Sequence, residues 1–364
     1  MNQAVRVGRV FGIDIKLDWS WFLILMLVAW SLATGFFPAE YAFDKATYWI
    51  LGTSAAILLF VSVLLHELSH SIVAKMHKIK VESITLFFFG GVAGVSPGAK
   101  FNPKTEFKMA AAGPAFSLGL GAFFFVLTLL NLPLLFEALF DYLFKINIIL
   151  GIFNLVPGYP LDGGRIFRAA MWHITKDIKK ATYYASMGGK VFGGVLVVLG
   201  LVGVFSGIPG GLWYIFIGAF IYFLAATSYK QTILKEILTK IKVESVMRRR
   251  YSTIKPTTTL TKFVNLCIYN DKESFIVKDT QVKGVADILH VQKINRKDWD
   301  KIKVSQITRP ARAVKPSDSI YRALELMENH QIRTLPVKKN KKIIGIVEAK
   351  TIGNALRIQQ LVSA

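Results

Sequence analysis

The sequence contains a single cysteine, Cys267, and few acidic residues, with 23 Asp and Glu against 45 Lys and Arg. One cysteine excludes an intrachain disulfide and argues against thiolate metal ligands. Charges of either sign are scarce over long stretches of the first two thirds, which excludes an ordinary soluble domain there because such a domain needs polar surface. We also expect no cleavable leader, since no small-residue cleavage site follows the first apolar run at Trp19.

Long apolar runs take the place of the missing charges, and the chain is 53% hydrophobic with a mean hydropathy of +0.43. A helix needs roughly 20 apolar residues to cross a bilayer core about 30 Å thick. The sequence therefore predicts a polytopic α-helical membrane protein. Its six transmembrane helices are predicted at residues 19–37, 47–74, 107–130, 139–156, 187–206 and 211–228.

Basic residues predict how these spans are oriented. They cluster before the first span, after the second, between the fourth and fifth, and after the sixth. By the positive-inside rule, we expect a multi-pass protein of the cell membrane with both termini in the cytoplasm. From Lys230 onward, 28 Lys and Arg against 12 Asp and Glu contribute +16 of the net charge of +22. Without a nucleic-acid-binding motif, this charge predicts contact with the anionic lipid bilayer and no nucleic-acid partner.

Two segments outside the spans favour β-structure. Residues 1–18 alternate apolar and polar side chains, as in one or two short strands at the membrane surface. Residues 81–98 are apolar but interrupted by glycines and a proline. They predict a membrane-associated β-hairpin that is shielded by protein.

The second span ends in His66-Glu67-Leu68-Ser69-His70, an H-E-x-x-H motif. Histidines four residues apart on a helix face the same way and can share one metal ion, while the glutamate can take a proton from a water molecule. Buried histidines satisfied by hydrogen bonds are the structural alternative. That alternative requires no particular spacing, and it does not explain why Glu67 lies in an apolar helix, where a charge is costly.

A catalytic zinc ion bound by two histidines needs a third protein ligand. Asp162 is the best candidate, because it follows the predicted fourth span and so lies at the same membrane depth as His70. As an isolated feature, Asp162 before two glycines would be interpreted as a helix N-cap. The matching depth favours the ligand interpretation.

The lysine-rich tail contains an internal repeat. Ile254-Lys255-Pro256-Thr257 resembles Val314-Lys315-Pro316-Ser317 at an offset of 60 residues, and Gly284-Val285 corresponds to Gly345-Ile346 at an offset of 61. Each unit predicts a strand, a helix, two strands and a helix, which together form a soluble α/β module. The predicted domains are a membrane core at 1–229, a linker at 230–243, and two modules at 244–300 and 301–364.

These motifs together resemble the site-2 protease family of intramembrane zinc metalloproteases. The similar features are H-E-x-x-H in the second span, the glycine-interrupted hairpin, Ala112-Gly113-Pro114, and the segment from Asn154 to Leu161-Asp162-Gly163-Gly164. The resemblance implies one zinc ion per chain, held by His66, His70 and Asp162, with Glu67 as the general base. It also implies that Asn154 helps to hold the substrate or the oxyanion.

Core and tail together resemble the branch of this family that carries a pair of CBS domains, the type of the sporulation protease that processes a sigma factor. This resemblance implies regulated intramembrane proteolysis: the substrate is a transmembrane segment of a membrane-tethered protein, such as a transcription factor or an anti-sigma factor. The CBS pair is then expected to serve regulation, docking, or assembly into a homodimer or higher oligomer.

An adenine nucleotide is a second ligand that a CBS pair could bind. CBS pairs often bind it at a glycine, two apolar residues, Ser or Thr, two further residues and Asp. Here Glu348 stands in place of the hydroxyl residue and Thr351 in place of the aspartate. A motif without its key positions carries little weight, so nucleotide binding stays open beside docking or dimerisation.

Two other functions are compatible with parts of the sequence. A membrane transporter or channel gated by a CBS pair would explain the spans and the tail, but it would leave H-E-x-x-H and Leu161-Asp162-Gly163-Gly164 as coincidences. A catalytically silent membrane scaffold would have no need of the complete set of candidate ligands and base.

Overall fold

The computed structural model describes residues 4–88, 90–95, 102–208, 210–279, 282–292, 294–310, 312–340 and 342–354. It divides into two units, Met1–Thr232 and Ile233–Ala364, and the division falls inside a long helix. The helices are α1 (Trp19–Ser31), α2 (Phe37–Glu40), α3 (Lys45–Met76), α4 (Pro103–Thr128), α5 (Leu134–Asn154), α6 (Asp162–Thr175), α7 (Ile178–Phe205), α8 (Gly211–Lys240), α9 (Leu260–Tyr269), α10 (Val304–Ile307) and α11 (Ile320–His330). The strands are β1 (Val5–Val10), β2 (Ile13–Leu17), β3 (Val81–Phe87), β4 (Gly90–Val95), β5 (Thr253–Ile254), β6 (Ser274–Lys278), β7 (Val282–Asp287), β8 (Thr334–Lys339) and β9 (Lys342–Glu348).

Five helical segments among the described residues are long and apolar enough to cross a membrane: Trp19–Glu40, Lys45–Met76, Pro103–Thr128, Ile178–Phe205 and Gly211–Lys240. The first joins α1 to α2 through a π-helical turn at Leu32–Phe36. Large apolar side chains such as Met26, Val198 and Phe223 point outward and are more than half exposed. Such a surface suits helices surrounded by lipid, which confirms the predicted membrane core.

The predicted count of six spans is not confirmed. The fourth predicted span, 139–156, lies largely in α5, a helix of 21 residues that does not qualify by composition. Three charged residues, Glu137, Asp141 and Lys145, lie in this helix, and the last two form an ion pair of 2.8 Å. Pairing lowers the cost of such charges near lipid, but the three charged residues set α5 apart from the five segments above.

Polar side chains mark the beginnings of the long helices. The carboxylate of Asp44 accepts hydrogen bonds from the backbone N–H groups of Ala46 and Thr47 before α3. Asn102 caps α4, and Asp177 caps α7, in the same way. These caps satisfy donors that the first helical turn leaves without a partner. They fix the residue at which each helix begins.

A four-stranded sheet in the order β1-β2-β3-β4 packs on α3. Neighbouring strands are antiparallel except β2 and β3, which are parallel, with Ile15 opposite Ile84. Residues 1–18 contain two strands, in agreement with the one or two predicted there. Strands β3 and β4 form the hairpin predicted at 81–98, of which residues 89 and 96–98 lie outside the described part. The sheet buries Ile13 and Ile84 against Leu68 of α3. This packing places β4 beside the H-E-x-x-H segment of α3.

The second unit contains the predicted repeat as two antiparallel hairpins, β6–β7 and β8–β9, each preceded by a helix, α9 or α11. The first copy begins with strand β5, and a 3-10 turn at Ile288–His290 follows its hairpin in place of the predicted closing helix. Residues 230–240 of the predicted linker belong to α8. The domain boundaries drawn from the sequence stay a prediction.

The two copies exchange the segments that precede them. Leu238 and Val243, which come before the first copy, are buried with α11, β8 and β9 of the second copy. Val304 and Ile307, which come before the second copy, are buried with α9, β6 and β7 of the first. Each apolar core therefore contains residues from both halves of the repeat.

Residues at the repeat offset face each other where the two copies meet. The hydroxyl group of Ser274 donates to that of Thr334, 60 positions later. Gly284 and Gly345 each lie against the backbone of an exchanged segment, at Arg309 and Arg248 respectively, where a Cβ atom would collide with a carbonyl oxygen. Close backbone approach thus explains both glycines of the repeat.

Candidate metal centre

Two histidines of α3 form one side of the site. His66 and His70 are one helical turn apart, and both are almost completely buried. The Nδ1 atom of His70 donates to the backbone carbonyl oxygen of Met109 at 2.6 Å, and Nδ1 of His66 lies 2.8 Å from the hydroxyl oxygen of Ser117. Helix α4 carries both partners, so it orients the Nε2 atoms of the two rings towards a common point.

Asp162 reaches that point from the first residue of α6. Its Oδ2 atom lies 3.1 Å from Nε2 of His66 and 2.9 Å from Nε2 of His70. Gly163 and Gly164 pack so closely on the turn at 155–159 that a Cβ atom on either would collide with its backbone. The two glycines therefore permit the tight turn that aims Asp162 at the histidines.

Three electron-pair acceptors converge in this arrangement. Because Nδ1 of His70 donates to a carbonyl oxygen, a neutral His70 has a lone pair on Nε2, and that lone pair faces the Asp162 carboxylate. Two acceptors at 2.9 Å repel each other unless a cation or a proton lies between them. His66, His70 and Asp162 are also the only metal-ligand group found among the described residues. Two imidazoles and one carboxylate fit a catalytic zinc site with open positions.

A cavity of about 720 Å³ lies over the three side chains. Its polar wall contains Glu67 and Arg165, and its apolar wall comes mainly from the first part of α8, including Trp213, Phe216 and Phe220. Residues 90–93 of strand β4 complete the lining, with Gly91 directly against the Glu67 side chain. The cavity therefore combines titratable groups, an exposed strand and a wall suited to apolar residues of a ligand.

Asn154 lies on the wall of the same cavity, at the last residue of α5. Its side-chain nitrogen donates to the carbonyl oxygen of Leu150 at 2.9 Å. One N–H bond and the amide oxygen remain for another ligand. The structure brings Asn154 near the candidate ligands, and its role in holding substrate or the oxyanion stays a prediction.

The roles of several supporting residues could not be predicted from the sequence, because they depend on contacts between helices. Ser117 and the carbonyl of Met109 orient the histidines, and Gly113 leaves room for the two Nε2 atoms, with which a Cβ atom would collide. Glu106, also on α4, is almost fully buried and pairs with Arg168 of α6, whose Nε donates to it at 2.7 Å. The A-G-P segment around Gly113 was a visible signal, but its contact with the rings was not.

Comparisons with known proteins identify the family of the chain. Residues 54–138 and 131–199 match Peptidase family M50, and residues 304–357 match the CBS domain. A Mycobacterium tuberculosis protein named zinc metalloprotease Rip3 is 31% identical, over 99% of this chain and 95% of its own length. A Synechocystis protein named zinc metalloprotease sll0528 is 33% identical, over 98% and 96%. The solved Site-2 Protease from Methanocaldococcus jannaschii is 31% identical, covering 62% of this chain and 95% of that chain with a TM-score of 0.42.

Similarity along nearly the whole chain confirms the family predicted from the motifs, and with it a multi-pass membrane enzyme that uses zinc. The chain therefore belongs to peptidase family M50, the site-2 proteases, as a zinc-dependent metalloprotease that also carries a CBS domain.

Proposed function

We propose that this protease cuts a transmembrane segment of a membrane-tethered regulatory protein, with zinc held by His66, His70 and Asp162. The main support is that these three side chains converge in the lining of a cavity with an apolar wall. Bound zinc supplies a Lewis acid that makes water nucleophilic near neutral pH and polarises a carbonyl group. Ser117 and the Met109 carbonyl hold the histidine rings in the orientation that leaves Nε2 free to bind.

Glu67 is the general base in this proposal. It follows His66 directly on α3 and lines the cavity, where β4 and the Gly91 backbone restrict the positions of its side chain. Its carboxylate takes a proton from the attacking water and then gives that proton to the leaving amine. Asn154, across the same cavity, offers its remaining amide N–H to the developing oxyanion or to the substrate backbone.

Strand β4 is the proposed binding edge for the substrate. It is one of the two edge strands of the sheet β1-β2-β3-β4, and residues 90–93 line the cavity beside Glu67. A peptide bond in a helix is hidden by the hydrogen bonds of the helix, so the substrate segment must unwind before attack. Pairing with β4 would replace the lost hydrogen bonds and hold the segment extended. Val92→Pro should therefore reduce cleavage more strongly than it reduces zinc content.

The decisive experiment measures cleavage of a membrane-embedded reporter by purified full-length protein in vesicles. Glu67→Gln should reduce cleavage at least about 1,000-fold while keeping about one zinc per chain, because the ligands are unchanged. Glu137→Gln, the same change at an exposed site on α5, is the matched control and should keep full activity. Equal cleavage by wild type and Glu67→Gln, or zinc-free wild-type protein, would contradict the proposal and favour a transporter or a silent scaffold.

We further propose a cell-membrane location with both termini in the cytoplasm, which the basic segments support. Accessibility of single cysteines placed near Val5 and Thr351, measured in intact cells and in lysed cells, tests it. Labelling of either position in intact cells by an impermeant reagent would contradict this orientation.

The CBS tail is proposed to dock a partner chain or to form a homodimer or higher oligomer. Its two clefts differ, because ion pairs such as Arg248–Glu348 and Arg333–Glu273 fill one cleft and leave about 50 Å³, whereas the cleft at Thr308 and Arg309 holds about 610 Å³. Any adenine nucleotide would therefore have to bind the second cleft. Calorimetry with ATP and AMP on wild type and Arg309→Gln tests this, and no heat with either nucleotide would exclude it.

A further inference from the structure

A basic pocket lies where three helices of the membrane unit end. We use the term basic pocket for the space of about 510 Å³ lined by His77 after α3, Lys104 and Lys108 of α4, and Trp172, His173 and Lys176 at the end of α6. Helices α3 and α4 are both long enough to span a membrane, so these ends lie at its surface. The pocket is distinct from the catalytic cavity and shares no lining residue with it.

Among the described residues, no acidic side chain neutralises the charge of the basic pocket. No carboxylate lines the pocket, and no described carboxylate forms an ion pair with Lys104, Lys108 or Lys176. The acidic residues next to them in sequence have other partners, since Glu106 pairs with Arg168 and Asp177 caps α7. Three lysines around one pocket attract a compact anion such as a phosphate group.

An apolar groove adjoins the basic pocket. This groove of about 270 Å³ is lined by Phe107, Ala169 and Ala170, and it shares Lys104, Lys108 and His173 with the pocket. Phe107 is 45% exposed on the outer face of α4, where lipid is expected. A soluble anion would use only the pocket, whereas a phospholipid would fill both, with its phosphate among the lysines and its acyl chain beside Phe107.

We propose that the basic pocket and the adjoining groove bind the headgroup and upper acyl chain of an anionic glycerophospholipid. The same three helices carry the metal centre: His70 is seven residues from His77, Met109 is adjacent to Lys108, and Asp162 is eleven residues from His173. At 1.5 Å per residue the separations on α3 and α6 are roughly 10 and 16 Å along the helices, and the one on α4 is a single residue. A headgroup that joins the three ends restrains the helices that bring His66, His70 and Asp162 together.

Native mass spectrometry of the purified full-length protein tests the proposal with phosphatidylglycerol titrated into neutral detergent. The variant Lys104→Gln/Lys108→Gln/Lys176→Gln should bind the tightest phosphatidylglycerol about 100-fold more weakly than wild type, at roughly fivefold per lysine. A matched control, Lys16→Gln/Lys80→Gln/Lys180→Gln, removes three basic residues near the membrane that do not line the pocket, and it should stay within about threefold of wild type. Lys104→Arg/Lys108→Arg/Lys176→Arg keeps the charge and should retain the lipid.

Competition experiments distinguish a lipid phosphate from a soluble phosphate as the bound group. Phosphatidylcholine should not replace phosphatidylglycerol, and millimolar inorganic phosphate or glycerol 3-phosphate should not displace it. Displacement by inorganic phosphate would overturn the lipid assignment in favour of a soluble anion. Equal weakening in the Gln triple variant and in the Lys16/Lys80/Lys180 control would overturn the site, because it would show attraction to the basic surface in general. Loss of lipid in the Arg variant would likewise overturn the proposal, since the charge is retained.

Discussion

The two units of the chain use buried polar residues in opposite ways. In the membrane unit, acidic and histidine side chains are buried while large apolar side chains such as Phe223 face outward. Among the described residues of this unit, the buried ones of these types are His66, His70, Glu106 and Asp162. In the CBS unit, the buried polar residues among those described are Ser274, Asp287 and Thr334. Asp287 accepts hydrogen bonds from the backbone N–H groups of Leu289 and Arg333 and thus joins the two copies of the repeat.

The difference reflects the surroundings of each unit. A charged side chain in an apolar helix is costly, so it persists there mainly when a metal, a partner or a reaction needs it. In a soluble module, polar residues are abundant on the surface, and the few that are buried satisfy the backbone where segments meet. A buried carboxylate therefore lies beside candidate metal ligands or an arginine in the first unit, as Asp162 and Glu106 do, and joins the copies of the repeat in the second.

The strongest test of this comparison fills the space at the metal centre while leaving every candidate ligand residue unchanged. Gly113→Ala would place a methyl group against both Nε2 atoms, so we expect loss of zinc and at least a 100-fold loss of cleavage. Gly119→Ala, on the same helix, meets nothing within 4 Å and is the matched control. Zinc content by atomic emission and cleavage of the membrane reporter are the measurements. Full zinc content in Gly113→Ala would show that the site is less tightly packed than described.

A second test removes a buried charge that is not a candidate ligand. Glu106→Gln leaves Arg168, which is about one-fifth exposed, without its carboxylate, and we expect it to destabilise the membrane unit by roughly 2–3 kcal/mol. The effect should be smaller in Glu106→Gln/Arg168→Gln than the sum of the single changes, as for a coupled pair. Thermal unfolding in detergent measures both. Additive changes would indicate that the ion pair does not join α4 to α6.

A third test addresses the exchanged segments of the CBS unit. Val243 is fully buried in the core of the second copy although it precedes the first copy. Val243→Ala should therefore destabilise the second copy by about 1–3 kcal/mol. Hydrogen exchange measured by mass spectrometry should become faster in α11, β8 and β9 before it does so in α9 and β6. The reverse order would contradict the exchange of segments.

The smallest expected effect concerns the lone cysteine. Burial in the first CBS core raises the pKa of the Cys267 thiol to about 12, with a smaller contribution from the Asp287 charge. Since the thiolate is the reactive form, labelling at pH 7.5 should be at least 100-fold slower in the folded protein than in dodecyl sulfate, and the rate should still rise about tenfold per pH unit between pH 8 and 10. A rate that levels off near pH 9 would show that the core is open to solvent.

The site could be predicted from the sequence because ionisable side chains cost free energy in or beside apolar helices, so they stand out there. His66, Glu67, His70 and Asp162 stood out by spacing and by membrane depth, and the structure brings the three candidate ligands together. The strands in residues 1–18 and the hairpin were predictable from alternation and from glycine positions. Helix α5 was harder, because its apolar length suggested a span while Glu137, Asp141 and Lys145 leave that span unconfirmed.

Contacts between distant segments could not be predicted in this way. Ser117, Met109 and Gly113 support the histidines from another helix, and no local pattern distinguishes a serine that orients a ring from one that fills space. The pairing of Glu106 with Arg168 joins residues 62 positions apart. The exchange of segments in the CBS unit was also invisible, since the repeat offsets are the same whichever copy each segment packs on.

By itself, the sequence determined the membrane core, the repeat in the tail and the candidate ligands, because apolar length, periodicity and i, i+4 spacing are local properties of a chain. Only the tertiary structure decided which carbonyl and hydroxyl groups orient the histidines, which strand edge lies beside Glu67, and which lysines line the basic pocket. Those relations depend on helices and strands that are far apart in sequence and meet only through packing, which no local pattern encodes.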